Sequence, residues 1–454
     1  MNYRTERDSM GEIQVPSWSY WGAQTQRSSE NFPQDTERMP MPIIHAIAIV
    51  KKASALANFK AGRLDKKRRD IIITVCDEIL AGKLDAHFPL VVWQTGSGTQ
   101  TNMNVNEVIA GRGNEIAGEK LLHPNDHVNM SQSSNDTFPS AMHIAAVMET
   151  TQKLFPALDA SISVLERLKT ENMNIIKTGR THLQDAVPIT FGQEVSAWQE
   201  MISLGRKRIT EAMTELYPLA LGGTAVGTGL NAPEGFAEEA ANEIARLTGL
   251  PFITSPNKFH ALSSMSAMSY VHGALKALAE DMMKIANDIR WLASGPRCGL
   301  GEIFIPENEP GSSIMPGKVN PTQCEALTMA AVQVMGNDAA IGFAASQGNF
   351  QLNVFLPVIA YNFLQSVNLL GGVFSFFTRK CLDGIRPNTE RMSENLTKSL
   401  MLVTALNPYT GYDNAAKIAR NAHEKNITLK ESAVILGILT PEEYDEYVVP
   451  ERMV

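Results

Sequence analysis

The sequence has few of the residues that mark a secreted or metal-binding protein. Only four of its 454 residues are cysteines, and no two of them have the CxxC spacing of a zinc or redox motif. This scarcity predicts reduced, mostly packed thiols rather than a disulfide framework. None of the nine histidines has a spacing typical of a metal site. We therefore expect neither a metal ion nor another cofactor.

Positive charge is also scarce. Charged residues make up 19% of the chain and the formal net charge is −8, so the protein offers no broad attraction to phosphate backbones and a nucleic-acid partner is not expected. The N-terminus lacks the apolar core of a secretion signal, and a start at Met1 without a transit peptide predicts a cytoplasmic location.

Residues 354–377 carry no charge, but they include Pro357, Asn362 and Gln365. Because isolated polar groups are costly in lipid, we expect a buried helix here and no membrane partner.

Helical periodicity is the strongest pattern in the chain. Apolar residues recur about every 3.6 residues in long segments, which are residues 138–170, 189–217, 261–294 and 322–346, and in shorter ones at 42–62 and 66–81. Residues 261–279 are apolar on nearly every face, which favours an oligomer core over one large monomeric bundle. The first forty residues, rich in proline, serine and turn formers, are expected to wrap over the surface.

This pattern predicts a mainly α fold without a strand-rich region. We expect three domains: a mostly helical N-terminal domain (1–133), a central bundle of long helices (134–355) that forms the oligomer core, and a small helical C-terminal domain (356–454).

The segment Gly311–Pro321 concentrates reactive groups in a loop. It reads Gly-Ser-Ser-Ile-Met-Pro-Gly-Lys-Val-Asn-Pro, so hydroxyls, a lysine, an amide and free backbone N–H groups lie within ten residues. Such a set can hold an anion and stabilise developing negative charge. It is not a phosphate-binding P-loop, because five residues separate Gly311 from Gly317 and Val319 follows the lysine. A solvated connection is the alternative.

A second motif surrounds His182, in Gly-Arg-Thr-His-Leu-Gln-Asp-Ala at 179–186. Histidine transfers protons near neutral pH, and here hydroxyl, guanidinium and amide groups flank it. Glu325, just after the lysine loop, is a possible carboxylate partner. Taken alone, Glu325 fits equally well as an acidic residue at a helix start.

Two further loops, residues 95–104 and 131–137, place small hydrogen-bond donors just before predicted helices. Helix starts of this kind favour carboxylate or phosphate groups, although each loop alone also fits an ordinary helix cap. In the first loop, Thr101-Asn102 is the predicted N-cap. The glycine-rich residues 221–231 precede no βαβ pattern and are predicted to form a close-packed turn.

Together these ordered motifs resemble the fumarase/aspartase superfamily over essentially the whole chain. Gly311–Asn320 matches its Gly-Ser-Ser, Met-Pro, Lys and Asn signature, and His182 stands where aspartases typically show Gln. Residues 97–104, 321–326 and 348–353 are similar to class II fumarases. The resemblance implies a three-domain fumarase/aspartase-like fold. It also implies a homotetramer in which loops of three subunits form each active site.

The implied activity is the reversible, metal-independent hydration of fumarate to L-malate through an aci-carboxylate intermediate. The resemblance makes Ser312 the base, gives Lys318 and Asn320 the task of stabilising the intermediate, and assigns His182, positioned by Glu325, to the water side. Aspartate ammonia-lyase is the alternative activity, and a non-catalytic structural protein of this superfamily is the alternative class.

The resemblance also implies two sets of ligand contacts. The substrate-binding residues are Ser97, Gly98, Thr99, Ser133, Ser134, Asn135, Thr181, Ser313, Lys318, Val319 and Asn320. The residues of a secondary dicarboxylate site are His123, Pro124, Asn125 and Asp126.

Overall fold

The computed structural model describes residues 2–33 and 35–454, which are mainly helical, as predicted. The α-helices are α1 (Ala23–Asn31), α2 (Met41–Lys60), α3 (Lys66–Leu80), α4 (Thr99–Ala117), α5 (Ser134–Glu149), α6 (Phe155–Glu171), α7 (Phe191–Ala212), α8 (Phe236–Thr248), α9 (Lys258–Ser263), α10 (Ser266–Leu292), α11 (Thr322–Ala345), α12 (Leu356–Lys380), α13 (Thr389–Lys398), α14 (Asn407–Thr410), α15 (Tyr412–Lys425), α16 (Leu429–Ile435) and α17 (Pro441–Tyr447). Two π-helical turns cover Pro124–Val128 and Thr150–Leu154. Short 3₁₀ segments cover Asp85–His87, Met213–Leu216, Leu382–Gly384, Leu400–Leu406 and Pro450–Arg452.

The described strands are short and form two-stranded pairs. They are β1 (Tyr3–Asp8), β2 (Gly11–Pro16), β3 (Ile176–Thr181), β4 (Gln184–Thr190), β5 (Pro218–Leu219), β6 (Ile253–Thr254), β7 (Ile303–Phe304), β8 (Gly348–Asn349), β9 (Leu352–Asn353) and β10 (Arg386–Pro387). The pairs β1–β2, β3–β4, β7–β10 and β8–β9 are antiparallel, and β5–β6 is parallel.

The chain divides into two compact units. Unit 1 consists of Met1–Pro156, Gly205–Ala279 and Ala330–Gly372. Unit 2 consists of Ala157–Leu204, Glu280–Met329 and Val373–Val454. The division into three domains stays a prediction.

In unit 1, the apolar helix α2 packs against α3, α4, α5 and α8. Pro42 lies in its first turn, where a missing N–H costs nothing, and Ile43, Ile44 and Ile47 are fully buried. A helix buried on several sides needs apolar residues on several faces, which is what its sequence provides.

In unit 2, β3 contacts α13, and the last sixty residues form their own apolar cluster around Leu406, Ile418 and Ala433. Helices α16 and α17 each begin with a capping box in which a threonine and a glutamate three residues later satisfy each other's backbone N–H groups. These caps stabilise helices too short to persist alone.

The structure confirms the long helical segments and adds strands that the sequence did not predict. The N-terminal residues, predicted only as a surface segment, form the β1–β2 hairpin, in which Tyr3 pairs with Pro16. Its exposed and partly buried residues alternate, the period-two pattern of a strand with one covered face.

Helix α12 covers the charge-free segment. A candidate span at Leu356–Gly384 is long and apolar enough to cross a membrane, and 56% of its most apolar window is buried inside the protein. The core helices of soluble proteins have the same length and composition.

Candidate active site

The serine loop, Gly311–Asn320, lies in unit 2 and is closed at its base by its own backbone. Gly311 N donates to Lys318 O at 2.7 Å, and Asn320 Nδ2 donates to Gly311 O at 2.6 Å. A Cβ at Gly311 would come within 2.6 Å of Lys318 O, so only glycine permits this closure. The loop is therefore a defined structure rather than a loose connection.

Within this loop, Ser312 is held by the main chain. Its Oγ accepts hydrogen bonds from Met315 N at 3.0 Å and from Ile314 N at 3.3 Å. Two N–H groups that point at one hydroxyl oxygen stabilise negative charge on that oxygen. Ser313 and Lys318 are exposed, and among the described residues no hydrogen bond or ion pair engages the Lys318 ammonium.

A cavity of about 620 Å³ adjoins the serine loop, also within unit 2. Lys318, Asn320 and Glu325 contribute to its wall, together with Arg290 and Trp291 from the end of α10. Glu325 lies in the first turn of α11, as its alternative interpretation predicted. The predicted pairing of Glu325 with His182 stays a prediction, since no hydrogen bond joins the two side chains within the described chain.

His182 lies at the tip of the β3–β4 hairpin, also in unit 2. His182 and Leu183 both have left-handed φ values, 55° and 60°, and form a two-residue turn whose ends, Thr181 and Gln184, pair with each other. Thr181 and His182 are exposed, and the described residues offer the imidazole no hydrogen bond. The imidazole is therefore accessible to a ligand or to another chain at the hairpin tip.

A buried ionic network that sequence reasoning missed holds the base of this hairpin. Arg180 makes two hydrogen bonds to Glu302, at 2.9 and 2.6 Å, and Lys177 lies 3.1 Å from the same carboxylate and 2.9 Å from Glu194. Asn395 donates to Glu302 as well, at 2.9 Å. Burial alone would raise the pKa of Glu302, but Arg180, Lys177 and Asn395 hold that pKa below its ordinary value.

In unit 1, the loop that precedes α4 brings the Ser97 and Thr99 hydroxyls to 2.7 Å from each other. The predicted N-cap at Thr101-Asn102 is wrong: the helix begins at Thr99, with Gly98 as the N-cap residue. Gly98 has a left-handed φ of 70°, which glycine adopts without strain, and the N-cap therefore lies three residues before Thr101.

The start of α5, also in unit 1, holds the next predicted group. Ser133 is the N-cap residue of a capping box with Asp136, and Ser134 Oγ accepts from Asn102 Nδ2 at 3.0 Å. Asn135 Nδ2 donates to Ala225 O at 2.8 Å. Each of the three side chains therefore occupies a fixed position at a helix start, where N–H groups and the helix dipole favour an anion.

Asp136 fixes this helix start, and the sequence motif did not single it out. The fully buried carboxylate accepts from Ser133 N at 2.9 Å, from Gly222 N at 2.9 Å and from Thr224 N at 2.8 Å. The glycine-rich residues 221–231 thus form a turn that packs against α5, as predicted. The only sequence signal for the role of Asp136 was its capping-box spacing from Ser133. That spacing does not reveal the bonds that Asp136 accepts from Gly222 N and Thr224 N.

The predicted secondary dicarboxylate site, His123–Asp126, forms an exposed turn in unit 1. His123 Nδ1 accepts from Asp126 N at 3.2 Å, and His127 Nδ1 accepts from His123 N at 2.9 Å. Burial lowers the pKa of His127, which favours its neutral, accepting form.

The structure thus brings the predicted residues together in groups. Unit 1 holds residues 97–99, 123–126 and 133–135, and unit 2 holds Thr181-His182 and residues 312–325.

Comparison with known proteins identifies the family of the chain. The family model described as Lyase matches residues 11–336, and the model described as Fumarase C C-terminus matches residues 402–454. The proteins named Fumarate hydratase class II from Bacillus subtilis (strain 168) and Campylobacter jejuni are each 60% identical to this chain, with 100% of this chain and 99% of each relative covered.

Solved structures give the same result. The class II fumarase from Schistosoma mansoni is 45% identical, has a TM-score of 0.98, and covers 100% of this chain and 99% of its own. A fumarate lyase:delta crystallin from Brucella melitensis, described as bound to cobalt, is 41% identical with a TM-score of 0.95 and the same coverage. These full-length matches show that the chain belongs to the class II fumarate hydratase family and has the fumarase/aspartase fold.

Proposed function

We propose that this protein adds water to fumarate to give L-malate and catalyses the reverse elimination. The family supports this activity, and the observation that carries it is the geometry of Ser312, whose Oγ accepts two backbone N–H bonds in a loop that also carries the exposed Lys318. Aspartate ammonia-lyase is not favoured, because full-length relatives are named fumarate hydratases and His182 stands where aspartases typically show Gln.

In the direction from malate, Ser312 removes a proton from the carbon beside one carboxylate. Serine is a weak base, so its alkoxide needs stabilisation, which the N–H groups of Ile314 and Met315 and the positive charge of Lys318 in the same loop provide. The electron pair of the broken C–H bond moves into the adjacent carboxylate and forms the doubly charged aci-carboxylate.

Lys318 and Asn320 stabilise this intermediate. The ammonium supplies a full positive charge, and Asn320 donates one N–H to Gly311 O, which leaves its second N–H for the ligand. Positive charge and fixed donors at the point where negative charge develops lower the barrier most effectively.

His182 acts on the hydroxyl that leaves as water, and in hydration it takes a proton from the attacking water. Glu325 positions the ring. Because the described residues of one chain give His182 no partner, we infer that Glu325 of another subunit meets it in a homotetramer whose active sites combine three subunits.

Exposed apolar side chains on the long helices support such an oligomer. Phe343 is 76% exposed, Met329 67%, Tyr270 64% and Val332 60% in the single chain. Several large apolar residues exposed along long helices form the kind of surface that typically marks an interface. We therefore place the long-helix domain of this three-domain, cytoplasmic protein at the core of a tetramer, where neighbouring subunits cover these side chains.

The two carboxylates of the substrate are held by the hydroxyl, amide and backbone groups of the two helix starts in unit 1 and by neighbours of the reacting groups. These residues are Ser97, Gly98, Thr99, Ser133, Ser134, Asn135, Thr181, Ser313 and Val319. A second dicarboxylate binds at His123–Asp126.

The test is ultraviolet absorbance with purified protein, L-malate and excess chelator, which follows the conjugated double bond of fumarate. We expect absorbance to rise with malate and not with aspartate. A rise that chelator abolishes would contradict metal independence, and a rise with aspartate alone would identify an ammonia-lyase.

A further inference from the structure

Lys51 is an ionisable side chain in the core of unit 1 to which the proposed mechanism gives no role. It lies on α2 with no exposed surface. Its ammonium donates to Asn129 Oδ1 and to Gln132 Oε1, both at 2.9 Å, and both acceptors are neutral amides. A buried cation without a directly bonded carboxylate is costly, so a purely structural role would be better served by an apolar residue.

A short hydrogen-bond path leads from Lys51 to the carboxylate-binding start of α5. Asn129 Oδ1, which accepts from Lys51, also accepts from Asn102 Nδ2 and from Asn106 Nδ2, each at 3.2 Å. Asn102 Nδ2 in turn donates to Ser134 Oγ at 3.0 Å. Lys51 therefore lies behind a side chain that is proposed to touch the substrate.

The same helix start contains a buried negative charge. Asp136 holds the N-cap Ser133 and the glycine-rich turn, and its buried carboxylate is therefore adjacent to the helix start where a substrate carboxylate is proposed to bind. Like charges repel strongly where water is excluded. Lys258 of α9 also interacts with the Asp136 charge, but its ammonium donates to Leu219 O and Thr254 Oγ1. Without a second cation, Asp136 weakens the attraction that the helix start offers to an anion.

Lys51 and Asp136 favour each other's charged forms. Burial lowers the pKa of Lys51 to about 7, and the charge of Asp136 acts in the opposite direction. Burial raises the pKa of Asp136, which the backbone N–H groups and the charge of Lys51 oppose. The other titratable group that acts on Lys51 is Cys76 of α3, which burial keeps neutral by raising its pKa to about 12.

We propose that Lys51 is a positioning residue whose buried charge offsets Asp136, so that the Ser133–Asn135 helix start can accept a dianionic substrate. It acts through Asn129, Asn102 and the local field and does not touch the ligand. This inference rests on the proposed function.

The primary test is Lys51→Met, which removes the charge and keeps an unbranched side chain that is one atom shorter. At a pH about one unit below the Lys51 pKa of about 7, where the ammonium is protonated, we expect the KM for fumarate to rise about tenfold because a buried charge is poorly screened, while kcat changes by less than about twofold. The matched control is Lys52→Met, which removes the neighbouring lysine and its ion pair with Asp77 and leaves KM unchanged. The proposed function fails if the wild-type protein does not turn over malate. The Lys51 inference alone fails if the wild-type protein is active and Lys51→Met leaves KM unchanged.

A second variant separates charge from packing. If Lys51 serves to balance Asp136, Lys51→Met should raise KM by a smaller factor in an Asp136→Asn background, where one side-chain oxygen can still accept from Gly222 N and Thr224 N, than in the wild-type background. An equal factor in the two backgrounds would overturn the charge-balance argument.

Two competitive inhibitors provide a readout that a packing defect would not produce. Succinate carries two charges and monomethyl succinate one, so Lys51→Met should weaken the binding of succinate by the larger factor. Equal loss for both inhibitors, or a fall in kcat together with a lower Tm, would show that Lys51 is only structural.

Discussion

The two groups of candidate site residues differ in how the chain holds them. In unit 1, Ser133 is bonded to Asp136, Ser134 to Asn102 and Ser97 to Thr99, so the residues proposed to bind carboxylates have fixed positions. In unit 2, the described chain leaves the His182 ring and the Lys318 ammonium exposed and without partners, although the loops that carry them are anchored at their bases.

This difference corresponds to a division between residues that bind the substrate and residues that transfer protons. Donors that are fixed in advance bind an anion without ordering costs, which suits helix starts with buried support. Groups that transfer protons must meet the substrate and one another, and here they are located on a hairpin tip and a loop. A chain that leaves its reacting groups exposed while it buries the support of its binding groups is consistent with a site that other subunits complete.

Ser312→Ala should have the largest effect, because it removes a reacting group and leaves the binding groups of unit 1 in place. We expect kcat to fall by about 10²–10⁴-fold because the base is lost. The Tm should stay near the wild-type value, since Ser312 Oγ only accepts from two exposed N–H groups. Initial rates with malate and a thermal melt measure the two quantities, and near-normal turnover would contradict the role of Ser312.

Glu302→Gln should break the anchor of the hairpin. The change leaves Arg180 and Lys177 without their shared carboxylate, and we expect about 3–5 kcal/mol of destabilisation, measured by urea unfolding at one protein concentration. Glu309→Gln, an exposed neighbour outside the network, is the control. Equal stability of the two variants would show that the network does not support the hairpin.

Gly98→Ala should disturb the helix start in unit 1. A Cβ there would come within 2.2 Å of the buried Phe138 ring at a left-handed φ, so we expect about 2–4 kcal/mol of destabilisation. Gly118, at the other end of α4, has the same φ of 70° but nothing within 4 Å of its Cβ. Gly118→Ala therefore measures the backbone cost alone, and an equal loss in both variants would rule out the packing argument.

A pH series tests the buried charge of Lys51, with a smaller expected effect than the variants above. With a pKa of about 7 in the folded state and 10.5 as its ordinary value, the folded protein binds fewer protons than the unfolded chain between these pH values. The destabilisation caused by burying the charged form of Lys51 is therefore greatest below pH 7 and decreases as pH rises. Relative to Lys51→Met, the wild-type protein should gain about 2 kcal/mol of stability between pH 7 and pH 8.5 in urea unfolding. A difference that is constant with pH would contradict a buried, ionising Lys51.

Much of this molecule could be predicted from local patterns. The long helices follow from apolar periodicity, and the loops at 97–99, 133–135 and 311–320 follow from motifs within ten residues of sequence. The start of α4 was misplaced because Gly98 begins the helix through its backbone conformation, and a search for capping side chains cannot detect this.

The supporting residues could not be predicted, because their partners are distant in sequence. Arg180 and Glu302 are 122 residues apart, and Asp136 and Gly222 are 86 residues apart. A single sequence carries no periodic or motif signal for such pairs. Lys51 looked like an ordinary lysine, and only the packing of α2 against four helices reveals its burial.

Subunit complementation determines whether one active site combines Ser312 and His182 of different subunits. Ser312→Ala and His182→Asn should each be nearly inactive alone, and their tetramers should be dissociated, mixed in equal amounts and reassembled. If Ser312 and His182 of one active site come from different subunits, about a quarter of the sites in the mixture are intact and activity returns to that level. If the mixture stays as inactive as its components, while a reassembled wild-type sample recovers fully, each site takes both residues from a single chain and the account is wrong.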